Sequence, residues 1–252
     1  MDVERLYAMG VGLLIGISVL VFPTLFLVPA PYGRHERPGW GPGIPARFAW
    51  VLMESPSVLL FAWVYLRGDF AREPVPVLLA AAWLLHYLQR SFVVPLRMRA
   101  NGKRKPLATV AMAVAFNCLN ATLNALAISQ LAAQGSAWLA DPRFRVGMAL
   151  FLGGFAVNVH SDAVLRRLRA PGETGYRIPT GGLFRYVTSP NYLAEIVEWV
   201  GWALASWSGA GLAFALFTFA NLAPRARSHH RWYHERFPDY PPERRALVPF
   251  LY

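Results

Sequence analysis

Seven long apolar runs dominate the sequence and restrict what it can fold into. They cover residues 8–30, 46–66, 74–95, 107–133, 146–165, 192–207 and 210–223. The first five have about the 17–25 residues that a helix needs to cross a bilayer, whereas the last two are short and lie close together. Charged residues make up only 15% of the chain, against about 25% in soluble proteins. We therefore expect an all-α integral membrane protein with seven transmembrane helices, the sixth and seventh forming a tight hairpin around "SWSGAG".

The basic residues predict the orientation of these helices. With the N-terminus outside, 19 Lys and Arg residues fall on the cytosolic side and 5 on the outer side, which is the asymmetry of the positive-inside rule. The C-terminus is then cytosolic, and the net charge of +11 is mostly explained by topology. The first run lacks a basic leader and a small-residue cleavage site, so we expect no cleaved signal peptide. The single Cys118 excludes an intrachain disulfide and a cysteine-based metal site, and the chain is expected to be one domain, 1–252.

Ionisable side chains occur at membrane depth in the second and third runs. Glu54 lies within "RFAWVLMESPSVLLFAWVYL", and His86, Tyr87 and Arg90 lie within "AAWLLHYLQRSFVV". Such residues are functional candidates because charge inside the hydrocarbon is costly. A protonated Glu54 and the Tyr87 phenol could both donate hydrogen bonds to a carbonyl oxygen. The alternative is a structural ion pair between Glu54 and Arg90.

Two polar stripes follow in the fifth and sixth helices. Helical spacing aligns Asn158, Asp162, Leu165 and Arg169 on one face, and Asn191, Glu195, Glu198 and Trp202 on another. If the stripes face each other, they line a water-accessible cavity open to the cytosol. Each stripe alone could instead be a helix-packing network.

The connecting loop and the C-terminal tail are rich in Arg and aromatic residues. The loop "RRLRAPGETGYRIPTGGLFRY" contains Tyr176 and Arg177, and the tail contains "SHHRWYHERFPDYPPERR". Guanidinium groups suit phosphate oxygens, and aromatic rings suit a base. The sequence contains neither the glycine-rich fingerprint of Rossmann dinucleotide-binding domains nor the phosphate-binding loop of P-loop nucleoside triphosphatases. His230 and His234, four residues apart, superficially suggest a metal site, but we expect none.

Long ungapped segments resemble the membrane steroid 5α-reductase family. They are "NVHSDAVLRRLRAPGETGYRIPTGGLFRYVTSPNYLAEIVEWVGWALASWS", "HHRWYHERFPDYPPERRALVPFLY", "MESPS" and "HYLQRSFVVPL", with a fainter match at "PYGRHE". One departure is Met53, where the mammalian steroid enzymes carry Gln. The resemblance covers most of the chain and is dense over roughly its last hundred residues.

The resemblance implies seven transmembrane helices and NADPH-dependent reduction of the Δ4 double bond of a 3-oxo-steroid, with hydride transfer to C5. It implies substrate-side helices in 1–105 and a cofactor site in 106–252. Glu54 and Tyr87 would bind the 3-keto oxygen. The implied NADPH-binding residues are Asn158, Asp162, Arg169, Tyr176, Arg177, Asn191, Glu195, His229, Tyr233 and Arg244.

Two other classes remain open from the sequence. Isoprenylcysteine-type membrane methyltransferases also carry a C-terminal cofactor site, and "RYVTSPNY" is distantly similar to their Arg–His–Pro–x–Tyr segment, although no His follows Arg185. A lipid-binding or transport protein would need no donor pair and no phosphate site. We expect a steroid-like lipid substrate, possible action on another conjugated lipid enone, no nucleic-acid partner and a monomer. The Arg-rich, Lys-poor composition favours a bacterial inner membrane, with the endoplasmic reticulum as the alternative.

Overall fold

The computed structural model describes residues 2–28, 40–98, 102–132, 134–168, 173 and 175–252. Within these residues the protein is mostly helical. The helices are α1 (Val3–Leu27), α2 (Ala46–Glu54), α3 (Pro56–Tyr65), α4 (Pro74–Leu88), α5 (Val94–Arg97), α6 (Leu107–Leu126), α7 (Pro142–Arg167), α8 (Pro190–Ser206) and α9 (Gly209–Arg236). π-helical turns extend α4 and α6, at Gln89–Val93 and Ala127–Leu131.

Five helical segments of the described residues are long and apolar enough to cross a membrane. They are Val3–Leu27, Ala46–Tyr65, Pro74–Arg97, Leu107–Leu131 and Pro142–Arg167, which correspond to the first five apolar runs. The sixth and seventh runs fold as α8 and α9. Only Trp207 and Ser208 separate these two helices, and the Ser208 side chain caps α9 by accepting from the Gly211 amide at 3.0 Å. The tight hairpin predicted from "SWSGAG" is present.

The connections between helices gather at two opposite ends of the bundle. At the first, the hairpin end, the Ala210 amide donates to the Tyr7 hydroxyl at 2.9 Å, and the Trp138 indole donates to the Ala205 carbonyl at 2.9 Å. The start of α1, the segment before α7 and the α8–α9 turn therefore meet there. At the second, the sheet end, the Arg47 guanidinium donates to the Met98 carbonyl at 3.0 Å. Successive helical passes thus alternate in direction.

A small antiparallel sheet at the sheet end departs from the all-α prediction. β1 (Gly43–Pro45) pairs with β2 (Arg104–Pro106), with Gly43 opposite Pro106. Arg104 also donates from its side chain to the Gly43 carbonyl. Segments this short have no alternating pattern in the sequence, and they form strands because the first and third connections lie side by side.

A proline interrupts the second span next to Glu54. Pro56 has no amide hydrogen to donate to the Leu52 carbonyl, and α2 ends at Glu54 while α3 begins at Pro56. The Leu52 carbonyl instead accepts from the Ser55 hydroxyl at 3.4 Å, and the neighbouring Met53 carbonyl accepts from the Asn117 side chain of α6 at 2.7 Å. A carbonyl freed inside a membrane span must find such a partner, so the break both places Glu54 at a helix end and ties α2 to α6.

Aromatic side chains fill the core between α3, α4, α7, α8 and α9. Trp83 stacks on Phe61 with ring centroids 4.8 Å apart, and it contacts Trp199 and Trp202 at 5.4 and 5.2 Å. Trp83, Trp199 and Trp202 are at most 1% exposed. Their indole groups keep hydrogen-bond partners: Trp83 donates to the Ser57 carbonyl and Trp202 to the Asn124 side chain. This aromatic core forms one wall of the site described next.

Candidate active site

Close packing of α7 and α8 sets the two polar stripes face to face. A Cβ atom at Gly154 would lie 2.6 Å from the Ala194 carbonyl oxygen, and one at Gly201 would lie 2.5 Å from the Gly147 carbonyl oxygen. Only glycine permits these approaches. The Asn158 side chain consequently reaches α8, where it donates to the Asn191 carbonyl at 3.0 Å and lies 3.5 Å from Glu195 Oε2.

Arg90 joins both stripes to the third span. Its guanidinium lies 3.7 Å from Asp162 Oδ2 and 4.0 Å from Glu195 Oε2. The three side chains are 17–19% exposed, so they border space rather than packed atoms. We call Arg90, Asn158, Asp162, Asn191 and Glu195 the Arg90 cluster. The two polar stripes face each other in the structure, as predicted. Arg90, which belongs to neither stripe, binds to both of them.

A π-helical turn gives Arg90 its position. The turn Gln89–Val93 precedes Pro95, which cannot donate an amide hydrogen to the preceding turn. The Arg90 carbonyl accepts from the Trp50 indole at 3.0 Å, and its guanidinium lies 5.2 Å from the centre of the Trp50 ring. Single-turn π insertions of this kind are frequent at functional sites.

Glu54 and Tyr87 lie at the edge of the Arg90 cluster. Glu54 is within electrostatic range of Arg90, His86 and Glu195. Tyr87 is 4% exposed, and its ring centroid is 4.7 Å from that of Trp83. The Tyr87 hydroxyl is within electrostatic range of Glu54, Glu195 and Arg90. The structural ion pair of Glu54 with Arg90 does not form, because Arg90 pairs with Asp162 and Glu195 among the described residues.

His86 pairs with Glu198 of α8. Its Nδ1 lies 2.7 Å from Glu198 Oε1, and the two side chains are 4% and 0% exposed. The ring of His86 also contacts those of Tyr87 and Trp199, at 4.9 and 4.7 Å. The pair therefore supports the aromatic wall behind Tyr87.

The predicted residues of the loop and tail form a second group at the sheet end. Arg244 is 5% exposed and donates to the Pro179 carbonyl at 2.9 Å, and Tyr233 is 2% exposed. The Tyr176 ring lies 4.8 Å from the Trp232 ring, and Arg177 pairs with Glu173 at 2.7 Å in an exposed position.

The ring of His229 lies 5.4 Å from the ring of Tyr192, in the first turn of α8. Since Asn191 is the adjacent residue, this contact connects the second group to the Arg90 cluster. Arg169 lies outside the described residues.

A hydrogen-bonded junction around Thr188 was not anticipated from the sequence. The Thr188 hydroxyl lies 2.6 Å from His230 Nδ1 and 2.8 Å from the Tyr240 hydroxyl. The Thr188 amide donates to the Arg245 carbonyl at 2.8 Å. Burial lowers the pKa of His230, which lies beyond the apolar part of α9, from 6.5 to about 4. His230 and His234 are 3.2 Å apart at their Nε2 atoms, and no group of three metal-binding side chains occurs among the described residues. The junction fastens the tail to the start of α8.

Together these features define a helical membrane protein with a polar, carboxylate-lined interior beside an aromatic core. Residues 103–252, more than half of the chain, match the family described as 3-oxo-5-alpha-steroid 4-dehydrogenase. The chain belongs to this family, and the resemblance seen in the sequence is confirmed. It is 47% identical over 239 residues to 3-oxo-5-alpha-steroid 4-dehydrogenase 1 of Bos taurus, which covers 93% of each chain.

Animal and plant relatives match over nearly the whole length. The 3-oxo-5-alpha-steroid 4-dehydrogenase 1 of Homo sapiens is 44% identical, covering 99% of this chain and 96% of the human protein. Steroid 5-alpha-reductase DET2 of Gossypium hirsutum is 42% identical, covering 95% of this chain and 96% of the plant protein. These relatives support the assignment of the chain to the oxidoreductases of steroid metabolism.

Proposed function

We propose that the protein reduces the Δ4 double bond of 3-oxo-Δ4-steroids to 5α-dihydrosteroids with NADPH as the reductant. The observation that carries this proposal is that Glu54 and Tyr87 are within electrostatic range of Arg90 and Glu195 of the Arg90 cluster. The side chains of Glu54 and Tyr87, from the second and third spans, are thus near the amide and carboxylate side chains of α7 and α8. The names of the relatives, steroid 5-alpha-reductases among them, support the same reaction.

Glu54 and Tyr87 would hold the 3-keto oxygen of the substrate. The Arg90 guanidinium pairs with the carboxylates of Asp162 and Glu195, and the Glu54 carboxyl group is a third acid within its electrostatic range. A proton retained on Glu54 would improve this charge balance and make its carboxyl group a hydrogen-bond donor. Donors fixed in a dry site stabilise negative charge that develops on oxygen during a reaction. Glu54 and Tyr87 would thus stabilise the enolate that hydride addition to C5 produces, and C4 of this enolate then takes a proton.

The hydrogen-bonding groups of the site suit a phosphorylated dinucleotide such as NADPH. The Arg244 Nε atom is buried and lacks a partner within the described part of the chain, so a phosphate oxygen would satisfy it. The exposed edges of Asp162 and Glu195 can accept from hydroxyl and amide hydrogens. When bound, the reduced nicotinamide supplies the hydride that adds to C5 of the enone. The residues proposed to hold the cofactor are Asn158, Asp162, Arg169, Tyr176, Arg177, Asn191, Glu195, His229, Tyr233 and Arg244.

The membrane arrangement follows from the alternating helices. With α8 and α9 as the sixth and seventh spans, the sheet end carries most of the basic residues and would face the cytosol. Residues 1–105 then supply the substrate side and 106–252 the cofactor side of one domain, acting as a monomer without a nucleic-acid partner. The eukaryotic relatives support an endoplasmic-reticulum location, and none of them supports the bacterial inner membrane expected from composition.

The test is NADPH consumption by detergent-purified protein with testosterone or progesterone, with the product analysed by mass and stereochemistry. We expect a 5α-dihydro product from the wild type and its loss in Tyr87→Phe, which retains the ring but not the donor. Protection against thermal unfolding by S-adenosylmethionine instead of NADPH would favour the methyltransferase class. NADPH protection without turnover of either steroid would refute the substrate assignment and direct the search to other conjugated lipid enones.

A further inference from the structure

A pocket opens on the face of α7 that points away from the Arg90 cluster. It has a volume of about 520 Å³. Helix α7 contributes Ala156, Val157 and His160, and the 3₁₀ turn Gly182–Arg185 contributes Gly182, Leu183 and Arg185, with Tyr186 at the rim. Asn158 and Asp162 lie on the opposite face of the same helix, since Asn158 is two residues from both Ala156 and His160. The full thickness of α7 separates this cavity, the α7 pocket, from the candidate active site.

The depth of the α7 pocket corresponds to the boundary between lipid tails and headgroups. Helix α7 has 26 residues and is therefore about 39 Å long, whereas the hydrocarbon core is about 30 Å thick. Arg166 and Arg167 end the helix and mark the headgroup level. His160 precedes Arg167 by seven residues, about 10 Å along the axis. The pocket therefore extends from just below the headgroups into the acyl chains.

The lining of the pocket combines an apolar wall with a basic rim. Ala156, Val157 and Leu183 supply the wall, and Arg185 and His160 supply polar groups. Arg185 is exposed, and no ion pair of Arg185 occurs among the described residues. An arginine without a carboxylate partner at this depth complements a phosphate group, with which it can form two parallel hydrogen bonds.

The backbone of the turn is shaped to keep the pocket open. Gly182 has φ +51°, and a Cβ atom there would lie 2.7 Å from His160 Cε1. Glycine thus lets the turn approach His160 without filling the space between them. Next to the rim, the Tyr186 ring lies 6.1 Å from that of Phe250, which is 80% exposed, and the following Leu251 is 83% exposed. Aromatic and apolar groups exposed beside basic ones are typical of a surface immersed in the membrane interface.

We propose that the α7 pocket binds one phospholipid with an anionic headgroup from the leaflet at the sheet end. Its phosphate would contact Arg185 and His160, and an acyl chain would lie along Ala156 and Val157. The proposal rests on α7 crossing the membrane and not on the reductase reaction.

The test is a titration of the full-length protein in detergent, without steroid or NADPH. Short-chain phosphatidylglycerol is compared with phosphatidylcholine of equal chain length and with inorganic phosphate, and the midpoint of thermal unfolding is measured. Phosphatidylglycerol is expected to raise the midpoint saturably, as a ligand of the native state does. Equal protection by phosphatidylcholine would refute headgroup selection, and equal protection by inorganic phosphate would show a free-anion site rather than a lipid site.

Three variants locate the binding. Arg185→Gln is expected to weaken the apparent affinity for phosphatidylglycerol by about tenfold or more, because a charge-assisted contact is lost. Ala156→Trp, which keeps all charges, fills the acyl wall and should also reduce protection. Arg231→Gln, an exposed arginine of the same end outside the pocket, is the matched control and should behave as the wild type. Wild-type affinity in either pocket variant, or equal loss in the control, would overturn the proposal.

Discussion

Substituting His86 by leucine removes the hydrogen-bond partner that the described residues provide for Glu198. The two side chains are 2.7 Å apart and nearly inaccessible, and Glu198 Oε2 already lacks a partner in the described part of the chain. The leucine has a similar volume, so the main effect is a carboxyl group left alone in an apolar core. Removing one member of a buried pair costs about 3–5 kcal/mol. For a chain of this size, about 2–4 °C of unfolding temperature per kcal/mol gives a decrease of about 6–20 °C.

The double substitution provides the control. Glu198→Leu alone leaves a neutral imidazole without a partner, at a cost of about 1–3 kcal/mol. With both groups replaced, no buried polar atom of the pair remains, and most of the loss should be regained. The assay is thermal unfolding of the purified wild type, the two single variants and the double variant in the same detergent. A double variant as unstable as His86→Leu would refute the reasoning, since ring packing rather than an orphaned carboxyl group would then explain the loss.

Three further predictions concern turnover, helix packing and pH. Glu54→Gln should reduce steroid turnover strongly while NADPH protection against unfolding stays near the wild-type level; lost protection would place Glu54 with the cofactor. Gly154→Ala should destabilise the protein by about 1–3 kcal/mol or more, because its Cβ would meet the α8 backbone, while Gly153→Ala, with nothing within 4 Å, should be neutral or stabilising in the same thermal assay. Because the pKa of His230 is lowered from 6.5 to about 4 on folding, the unfolded chain binds the extra proton first, so stability should fall as the pH falls through this interval. His230→Gln should flatten that part of the stability profile measured between pH 7 and pH 4.

The helices and their polar faces could be predicted because they depend on local sequence. Apolar runs locate the spans, and the 3.6-residue period places Asn158 with Asp162, and Asn191 with Glu195, on single faces. The small residues between α8 and α9 indicate the hairpin. The break at Glu54 was not predicted, although the missing amide hydrogen of Pro56 explains it. Each of these features needs only neighbours within one or two helical turns.

The partners across helices could not be predicted because they depend on how the helices are rotated and staggered against each other. Arg90 meets Asp162 across 72 residues, and Pro95 indicates a break in the helix but not the π-helical turn that precedes it. His86 likewise meets Glu198, 112 residues away. The Thr188 junction likewise requires the tail to return to the start of α8. The family resemblance supplied residue roles that spacing alone did not.

The packing of α1 has a consequence for how the chain is made. Its main packing partner is α9, with Phe22 stacked on Phe219 at 5.8 Å and the Tyr7 hydroxyl bound 203 residues away to the amide of Ala210, and Gly10 also lies against Leu123 of α6. At about 5–20 residues per second, α9 is synthesised roughly 10–40 s after α1. The first helix must spend this interval in lipid without its partner. Its composition makes it stable in lipid on its own. Its mean hydropathy of 2.3 exceeds that of the other four candidate spans, and the Ser18 and Thr24 hydroxyls donate to carbonyls of their own helix. α1 can therefore be inserted first and docked last.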